Sequence, residues 1–185
     1  MYKLDPKKGR LLVAEPTILN DNSFNRAIIL LTEHTDTSSI GFILNKPLEY
    51  CIHDLLPDIN CSFTIYKGGP VEKDNLYFVH KIPKLLDNSI AVANGVFWGG
   101  DFKQLKKLLN EGLLAASDIR FFLGYSGWDK NQLMEELEES SWFVTENDFE
   151  NIFSNDEKNL WKNKLLQKGG KYKLWANAPD DFNLN

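Results

Sequence analysis

The chain has 185 residues, 43% of them hydrophobic and 25% charged, and such a chain buries enough surface to fold without a metal or a disulfide. Its formal net charge of −5 disfavours tight binding to a phosphate backbone, because such binding needs clustered lysine and arginine. The longest apolar run, residues 27–31, is far shorter than the roughly 18 residues of a membrane span.

Predicted strands dominate the first half of the chain. Apolar segments at 11–14, 27–31 and 40–44 read as strands, and the second and third of these are joined by a short turn-rich connection that predicts a hairpin. Further strands are predicted at 62–66, 76–79 and 89–93, with one helical turn at 51–56. Because most connections are too short for a crossover helix, we expect antiparallel pairing.

Helices are predicted in the second half of the chain, and each begins with a capping pattern. Three Asp or Ser residues are each followed three positions later by Gln or Glu: Asp101 with Gln104, Asp129 with Gln132, and Ser154 with Glu157. The expected fold class is therefore α+β, with residues 1–170 forming one compact domain. Residues 171–185 lack periodicity, and Trp175 and Phe182 predict that this tail docks in part.

Residues 124–128, Gly-Tyr-Ser-Gly-Trp, lie between an apolar run and a helix predicted at 130–140. We interpret them as a strand that turns through two glycines into a helix, a setting that often presents a reactive side chain. Ser126 does not fit the hydrolase pattern, however, since Trp128 stands where that pattern has glycine and all three histidines precede the serine. We therefore predict no catalytic residue and assign the bend an architectural role.

The sequence contains only weak signals for a metal-binding or phosphate-binding site. The Cys51-x-His53 pair, with Cys61 and His80, lacks the spacing of a metal site, and no phosphate-binding glycine loop is present. The Gly68-Gly69 pair reads as a tight turn. We predict no metal and no cofactor, and a cytoplasmic location with both thiols reduced.

Two lysine clusters and one histidine are candidate binding groups. The clusters, at 103–107 and 158–168, read as solvated helix faces rather than as a nucleic-acid surface. His34 closes a buried strand and is either a general base or a core-edge histidine bonded to a backbone carbonyl; the second reading is favoured because no partner is visible.

Several segments, taken together and in order, resemble the bacterial AlgH/YqgE family, whose members are often labelled transcriptional regulators. The matching pieces are Leu11–Ala14 with Pro16, then Leu19, Asp21, Phe24 and Arg26, Leu30–His34, Gly41–Pro47, Gly68–Val71, His80, Phe122–Trp128, Gln132-Leu133, Glu136, Ser141-Trp142 and, apart from these, Trp161. The resemblance implies a compact α+β fold whose strongly bent, largely antiparallel sheet approaches a barrel, with helices packed outside. It supplies no catalytic residue and no cofactor.

The sequence is compatible with three functions. The leading hypothesis, which rests on the resemblance and on the lack of a catalytic set, is a non-enzymatic cytoplasmic regulator or protein-interaction module. The second is a small-ligand binder or an enzyme of another kind, with a cleft formed by His34, Asn45, Tyr125, Trp128 and Gln132. The third, direct nucleic-acid binding through the lysine-bearing helices, is disfavoured by charge and by the lack of a DNA-reading helix pair. No membrane partner is expected.

Overall fold

The computed structural model of the protein describes residues 4–18, 21–154 and 156–178. Ten strands occur in these ranges: β1 (Leu11–Ala14), β2 (Ile28–His34), β3 (Ser38–Ile43), β4 (Pro47–Cys51), β5 (Thr64–Lys67), β6 (Val71–His80), β7 (Ile90–Ala93), β8 (Val96–Trp98), β9 (Ile119–Asp129) and β10 (Trp142–Thr145). Five α-helices accompany them: α1 (Ile52–Leu55), α2 (Phe102–Asn110), α3 (Gln132–Glu138), α4 (Glu157–Lys168) and α5 (Tyr172–Ala176). None of these helices is long and apolar enough to cross a bilayer.

The strands form one mixed sheet in the order β10-β1-β2-β3-β9-β6-β8-β7, and β5 with its partner β4 joins beside β9. Every pairing is antiparallel except that of β5 with β9. The predicted α+β class with a largely antiparallel sheet is confirmed, and so is the hairpin of β2 and β3. The sheet stays open rather than closing into a barrel, because β10 and β7 do not pair with each other.

Side chains of β1 and β2 are buried on both faces of the sheet. Odd positions of β1 and even positions of β2 pack with Leu160, Trp161 and Leu165 of α4, whereas the alternate positions pack with Leu133 and Leu137 of α3. The twofold side-chain period of a strand therefore builds two apolar layers from one continuous apolar segment. A third cluster joins α1 and α2 to β5, β6 and β9.

The glycine motif at 124–128 is the main correction to the predicted elements. These residues continue β9 to Asp129 without a turn, and α3 begins only at Gln132, after Asn131 in the left-handed conformation (φ 68°). The predicted capping pair is half present, since the backbone N–H of Asp129 donates to Gln132 Oε1 at 3.0 Å. Two glycines preceding a capping signal resemble a turn in sequence, but here cross-strand pairing keeps the segment within β9. Gly124 has a left-handed φ of 68°, and the register with β6 shifts there.

Of the two other predicted helix caps, one is present in the structure and one is not. Asp101 caps α2 as predicted, because its Oδ1 accepts from the N–H groups of Lys103 and Gln104 at 2.8 and 3.0 Å. Ser154 does not cap α4: the helix begins at Glu157, and the Ser154 carbonyl accepts a hydrogen bond from Arg120. Pattern alone did not reveal β8 and β10, and it did not reveal β4, which Pro47 opens by pairing with Tyr66.

The stretch after α4 contains the short helix α5. Ala176 is buried in the cluster that includes α4, and Tyr172 and Trp175 pack against the same cluster. Phe182, the other aromatic residue in the predicted tail, lies outside the described residues.

Candidate functional site

The five residues predicted to share one cleft lie in four different places. His34 lines a groove of about 320 Å³ together with Asp129 and Asn131, at one end of β9. Its Nδ1 lies 2.8 Å from the hydroxyl oxygen of buried Ser39, so its partner is a side chain rather than the expected backbone carbonyl. Asn45 lines a different and larger cleft.

Trp128 is unavailable to a ligand. The side chain is 4% exposed, and its Nε1 donates to Glu136 Oε2 at 2.8 Å. Gln132 donates to the other carboxylate oxygen of Glu136 at 3.0 Å. Tyr125 faces the opposite side of the sheet and meets Tyr77 edge-on, with ring centroids 5.7 Å apart. Positions 125 and 128 differ by an odd number, so one strand places them on opposite faces.

Ser126 is fully buried, and its hydroxyl donates to the Gly68 carbonyl oxygen at 3.1 Å. The Gly68-Gly69 segment lies directly against the backbone of Gly124 and Tyr125, so that a Cβ on Gly69 would overlap the Tyr125 carbonyl group. Gly68, Gly69 and Gly124 therefore mark a close contact between backbones rather than a nucleophile or an anion nest. The predicted architectural role of Ser126 stays a prediction, and its contacts are consistent with it.

A cleft of about 710 Å³ lies beside α4, and we refer to it as the α4 cleft. It is bounded by the segment before β2, the connection between β3 and β4, the first two turns of α4 and the end of α5. Its lining residues are Asn25, Arg26, Asn45, Lys46, Pro47, Glu157, Lys158, Asn159, Trp161, Lys162, Ala176, Asn177 and Ala178.

Asn45 fixes one wall of the α4 cleft. Its Oδ1 accepts from the N–H of Ile28 at 2.9 Å, and its Nδ2 donates to the Arg26 carbonyl at 2.8 Å. These bonds hold Arg26 with a positive φ of 55°, which points its side chain across α4. The guanidinium lies 5.0 Å from the centre of the Trp161 ring and donates to the Ala178 carbonyl at 3.2 Å.

Lys46 follows in the same wall and is half-buried. Burial is the main cause that lowers the pKa of its ammonium group, and the nearby positive charge of Lys67 lowers it further. The carboxylate of Asp21 raises this pKa and so offsets part of the effect. No described residue forms a hydrogen bond or an ion pair with this ammonium group. Lys158 and Lys162, one turn apart on α4, add two further positive charges to the lining.

Glu157 is the one carboxylate among the described residues of the lining, and side chains beneath it already compensate its charge. Buried Arg120 places its Nη2 3.7 Å from Glu157 Oε1, and Tyr66 donates its hydroxyl hydrogen to the same oxygen. Arg120 also lies over the Tyr66 ring at 4.2 Å and donates to the Leu44 carbonyl at 2.9 Å. Burial, chiefly, raises the pKa of Tyr66 to about 12. The α4 cleft is therefore net positive in an acidic protein.

Two other lysines of α4 are used inside the protein. Lys168 donates to Glu15 at 3.3 Å and lies over the rings of Phe143 and Tyr172. Buried Lys164 lies 3.9 Å from Asp148. The basic stretch at 158–168 is thus divided between the α4 cleft and internal contacts, and it does not form one solvated face.

The remaining histidines and cysteines do not assemble a metal site: the described ranges contain no cluster of three His, Cys, Asp or Glu side chains placed to hold an ion. His53 bonds the Ile59 carbonyl at 2.8 Å. His80 is fully buried between the Gly99 carbonyl and the Ile82 N–H, and burial lowers its pKa despite the bond to Gly99. Cys51 and Cys61 are free thiols.

Sequence reasoning placed Asn45 in a site but missed Arg26, Lys46 and Glu157. Arg26 and Lys46 were among the segments that carried the family resemblance, yet neither stands beside another charged residue in a recognisable motif. The sequence feature that could have indicated this site is the Asn-Lys-Pro segment directly after a buried strand. Glu157 and Arg120 gave no signal, because their pairing joins positions 37 residues apart in the chain.

Residues 11–173 match the family model described as AlgH-like. A UPF0301 protein of Chlorobaculum parvum is 40% identical over 180 residues, which cover 97% of this chain and 96% of that protein. A UPF0301 protein of Cytophaga hutchinsonii is 39% identical over 96% of this chain and 98% of its own length. The crystal structure of DIP2367 from Corynebacterium diphtheriae superposes with a TM-score of 0.78 at 22% identity, over 96% of this chain and 95% of that one. The solution structure of AlgH from Pseudomonas aeruginosa gives 0.72 at 21% identity, over 98% of this chain and all of the other.

Proposed function

The chain belongs to the AlgH-like family, and on that premise we propose that it is a non-enzymatic regulatory protein of the cytoplasm that binds a small anionic molecule in the α4 cleft. The observation that carries this proposal is the lining of the cleft: three lysine side chains, Lys46, Lys158 and Lys162, stand against one carboxylate among the described lining residues. The carboxylate is already paired with Arg120, so a ligand meets the excess positive charge.

Lys46 gives the strongest support for an anion. An ammonium group that is half-buried beside another cation, without an ion pair among the described residues, is held at a cost in free energy. A bound carboxylate or phosphate group would recover that cost by pairing with it, and Lys158 and Lys162 lie across the cleft to contact the same anion. A cation or an uncharged ligand would leave the cost in place.

A non-enzymatic role is supported by the chemistry of the lining. Among the described residues, the side chains that line the α4 cleft include no histidine, cysteine or serine, and the acid Glu157 is bound to Tyr66 and Arg120. The cleft therefore offers charge and hydrogen bonding but no free general base. A regulatory role fits the position of the cleft, since a ligand there would contact α4, α5 and the segment before β2 together. Free thiols at Cys51 and Cys61 agree with a reducing compartment.

Thermal unfolding with a panel of anions tests the proposal. The panel contains inorganic phosphate, sulfate, phosphorylated metabolites, and di- and tricarboxylates, with matched uncharged compounds. A ligand present at 100 times its Kd should stabilise the protein by about 2.7 kcal/mol, which raises Tm by about 5–11 °C for a domain of this size.

Two variants locate the binding site. Lys46→Met keeps the length of the side chain and should weaken binding of the best ligand by about 10- to 100-fold, the effect of losing one charged hydrogen bond. Lys103→Met removes one positive charge from exposed α2 and should leave binding unchanged. Equal losses in both variants would mean a non-specific charge effect, and no stabilisation by any anion in the panel would contradict the proposal.

A further inference from the structure

Lys46 and Lys67 oppose each other where β4 and β5 begin to pair. The Lys67 N–H donates to the Lys46 carbonyl at 2.8 Å, one position beyond the pairing of Pro47 with Tyr66. The ammonium group of Lys67 is fixed, since its Nζ donates to Ser23 Oγ at 3.0 Å. Like charges opposed across two strands repel each other, and here the second charge, that of Lys46, lines the α4 cleft.

The Lys46 amine differs from the other lysine amines of the cleft. It is half-buried and has no hydrogen-bond or ion-pair partner within the described ranges, whereas Lys158 is exposed to solvent. Burial, and then the charge of Lys67, lower the pKa of Lys46, so a larger fraction of it is neutral than in an exposed lysine. A neutral lysine amine that is desolvated beside another cation is an effective nucleophile for carbonyl carbons.

We propose that Lys46 forms a reversible imine with a 2-oxo acid bound in the α4 cleft. The imine rests on the proposed function, because the cleft has to bind the carboxylate of the same molecule. In a 2-oxo acid the carboxylate is one bond from the carbonyl carbon. The ammonium groups of Lys158 and Lys162 contact this carboxylate and direct the carbonyl carbon toward the Lys46 amine.

The covalent step balances without an oxidant or a reductant. The lone pair of the neutral Lys46 nitrogen attacks the carbonyl carbon, and a proton passes from this nitrogen to the carbonyl oxygen, which gives a carbinolamine. The carbinolamine then loses its hydroxyl group and the remaining proton of the nitrogen as one water molecule, and a C=N bond forms. Water carries the protons, and hydrolysis reverses the reaction.

Two features of the cleft select a 2-oxo acid among small anions and carbonyl compounds. An uncharged aldehyde gains nothing from Lys158 and Lys162, and a plain carboxylate forms no bond with the Lys46 amine. An imine nitrogen is also less basic than an amine, so the reaction reduces the repulsion between positions 46 and 67. The volume of about 710 Å³ accommodates the side chain of a larger 2-oxo acid.

The test traps the imine in the full-length protein. Glyoxylate, the smallest aldehyde of this class, is added with sodium cyanoborohydride, which reduces an imine to a stable amine. Peptide mass spectrometry then measures the labelling rate at each lysine, and exposed Lys103 is the internal reference. Glyoxylate should label Lys46 faster than Lys103. With acetaldehyde, which has no carboxylate, the ratio of the two rates should fall about tenfold, the effect of losing one charged hydrogen bond.

Protein variants separate the binding of the carboxylate from the reactivity of the amine. The double variant Lys158→Met, Lys162→Met should lower the glyoxylate ratio about tenfold and leave the acetaldehyde ratio within about twofold. The matched control is Lys84→Met with Lys107→Met, which removes two exposed charges far from the cleft lining and should change neither ratio. Far-UV circular dichroism verifies that both variants are folded.

A change at position 67 tests the effect of the opposed charge. Lys67→Gln removes the cation beside Lys46 and so raises the fraction of protonated amine. The acetaldehyde ratio at pH 7 should then fall about two- to fivefold, whereas Lys67→Arg keeps the charge and should keep the ratio. Acetaldehyde is the reagent here because its own charge does not change with the variant.

Three results would overturn the imine. They are labelling of Lys46 by glyoxylate no faster than that of Lys103, equal ratios for glyoxylate and acetaldehyde, and an unchanged glyoxylate ratio in the α4 double variant. If dicarboxylates or phosphate stabilise the protein while glyoxylate does not label Lys46, the imine is wrong and the anion site stands. If no anion stabilises the protein and both aldehydes label Lys46 equally, the anion site is wrong as well.

Discussion

Glu136 is the most informative single residue for testing how α3 is attached to the sheet. Its Oε2 accepts hydrogen bonds from two indoles, those of Trp128 at 2.8 Å and Trp142 at 2.7 Å, which are 4% and 3% exposed. The two rings meet edge-on with centroids 6.2 Å apart. One carboxylate therefore ties α3 to β9 and β10 at once. In the sequence Glu136 is one of four glutamates at 135–139, a pattern that by itself indicates a solvated helix face.

Replacing Glu136 by alanine leaves two buried indole N–H groups without an acceptor. Each loss costs about 1–3 kcal/mol, and the half-exposed position of Glu136 admits water to part of the space, so we expect a total near the lower end, about 2–4 kcal/mol. Tm should fall by roughly 4–16 °C. Glu136→Gln keeps one acceptor oxygen and should cost about half as much.

Urea unfolding followed by tryptophan fluorescence and by far-UV circular dichroism measures these differences. Glu138→Ala is the matched control, because Glu138 lies exposed on the same helix and forms no bond with any described residue. It should change the free energy of unfolding by less than about 0.5 kcal/mol. If Glu136→Ala is no more destabilising than this control, the two indoles do not depend on the carboxylate and the reasoning is refuted.

Two further predictions concern backbone contact and pH. Gly69→Ala should lower the free energy of unfolding by about 3 kcal/mol or more, because its Cβ would overlap the backbone of Tyr125. The control Gly95→Ala meets no atom within 4 Å but has a φ of 78°, and it should cost only about 1–2 kcal/mol. Urea unfolding midpoints compare the two variants, and equal costs would contradict the close contact. Burial lowers the pKa of His80 below its ordinary 6.5, so the unfolded chain takes up a proton first as the pH falls, and the free energy of unfolding should decrease below about pH 6.5. His80→Gln should reduce that decrease, and an NMR titration of His80 in the folded protein with a midpoint at or above 6.5 would contradict the prediction.

The parts of the fold that local sequence predicted are those where one signal sufficed. Apolar continuity identified β2 and β3, and their short connection fixed them as a hairpin. Asp101 identified the start of α2, because a cap depends on atoms three residues apart. Ser154 carried the same signal, but α4 begins only at Glu157, so the serine lies too far from the first turn to cap it.

The candidate site was harder to predict because it is built from distant segments. The α4 cleft joins residues 25–26 and 45–47 to α4 and α5. The residues at 125 and 128, close in sequence, were grouped into one site. A continuous strand separates them onto opposite faces, and only the pairing of β9 with β3 and β6 reveals that the strand is continuous.

By itself the sequence determined the α+β class, the antiparallel character of the sheet and the family, because these depend on composition, on short-range periodicity and on a series of matching segments. Tertiary structure alone decided which charges remain unpaired. Lys164 and Lys168 are taken up by internal partners while Lys46 is left desolvated without an ion pair among the described residues, although all three are ordinary lysines in the sequence. The physical reason is that the free energy of a charge depends on its surroundings in space, and the chain order does not specify those surroundings.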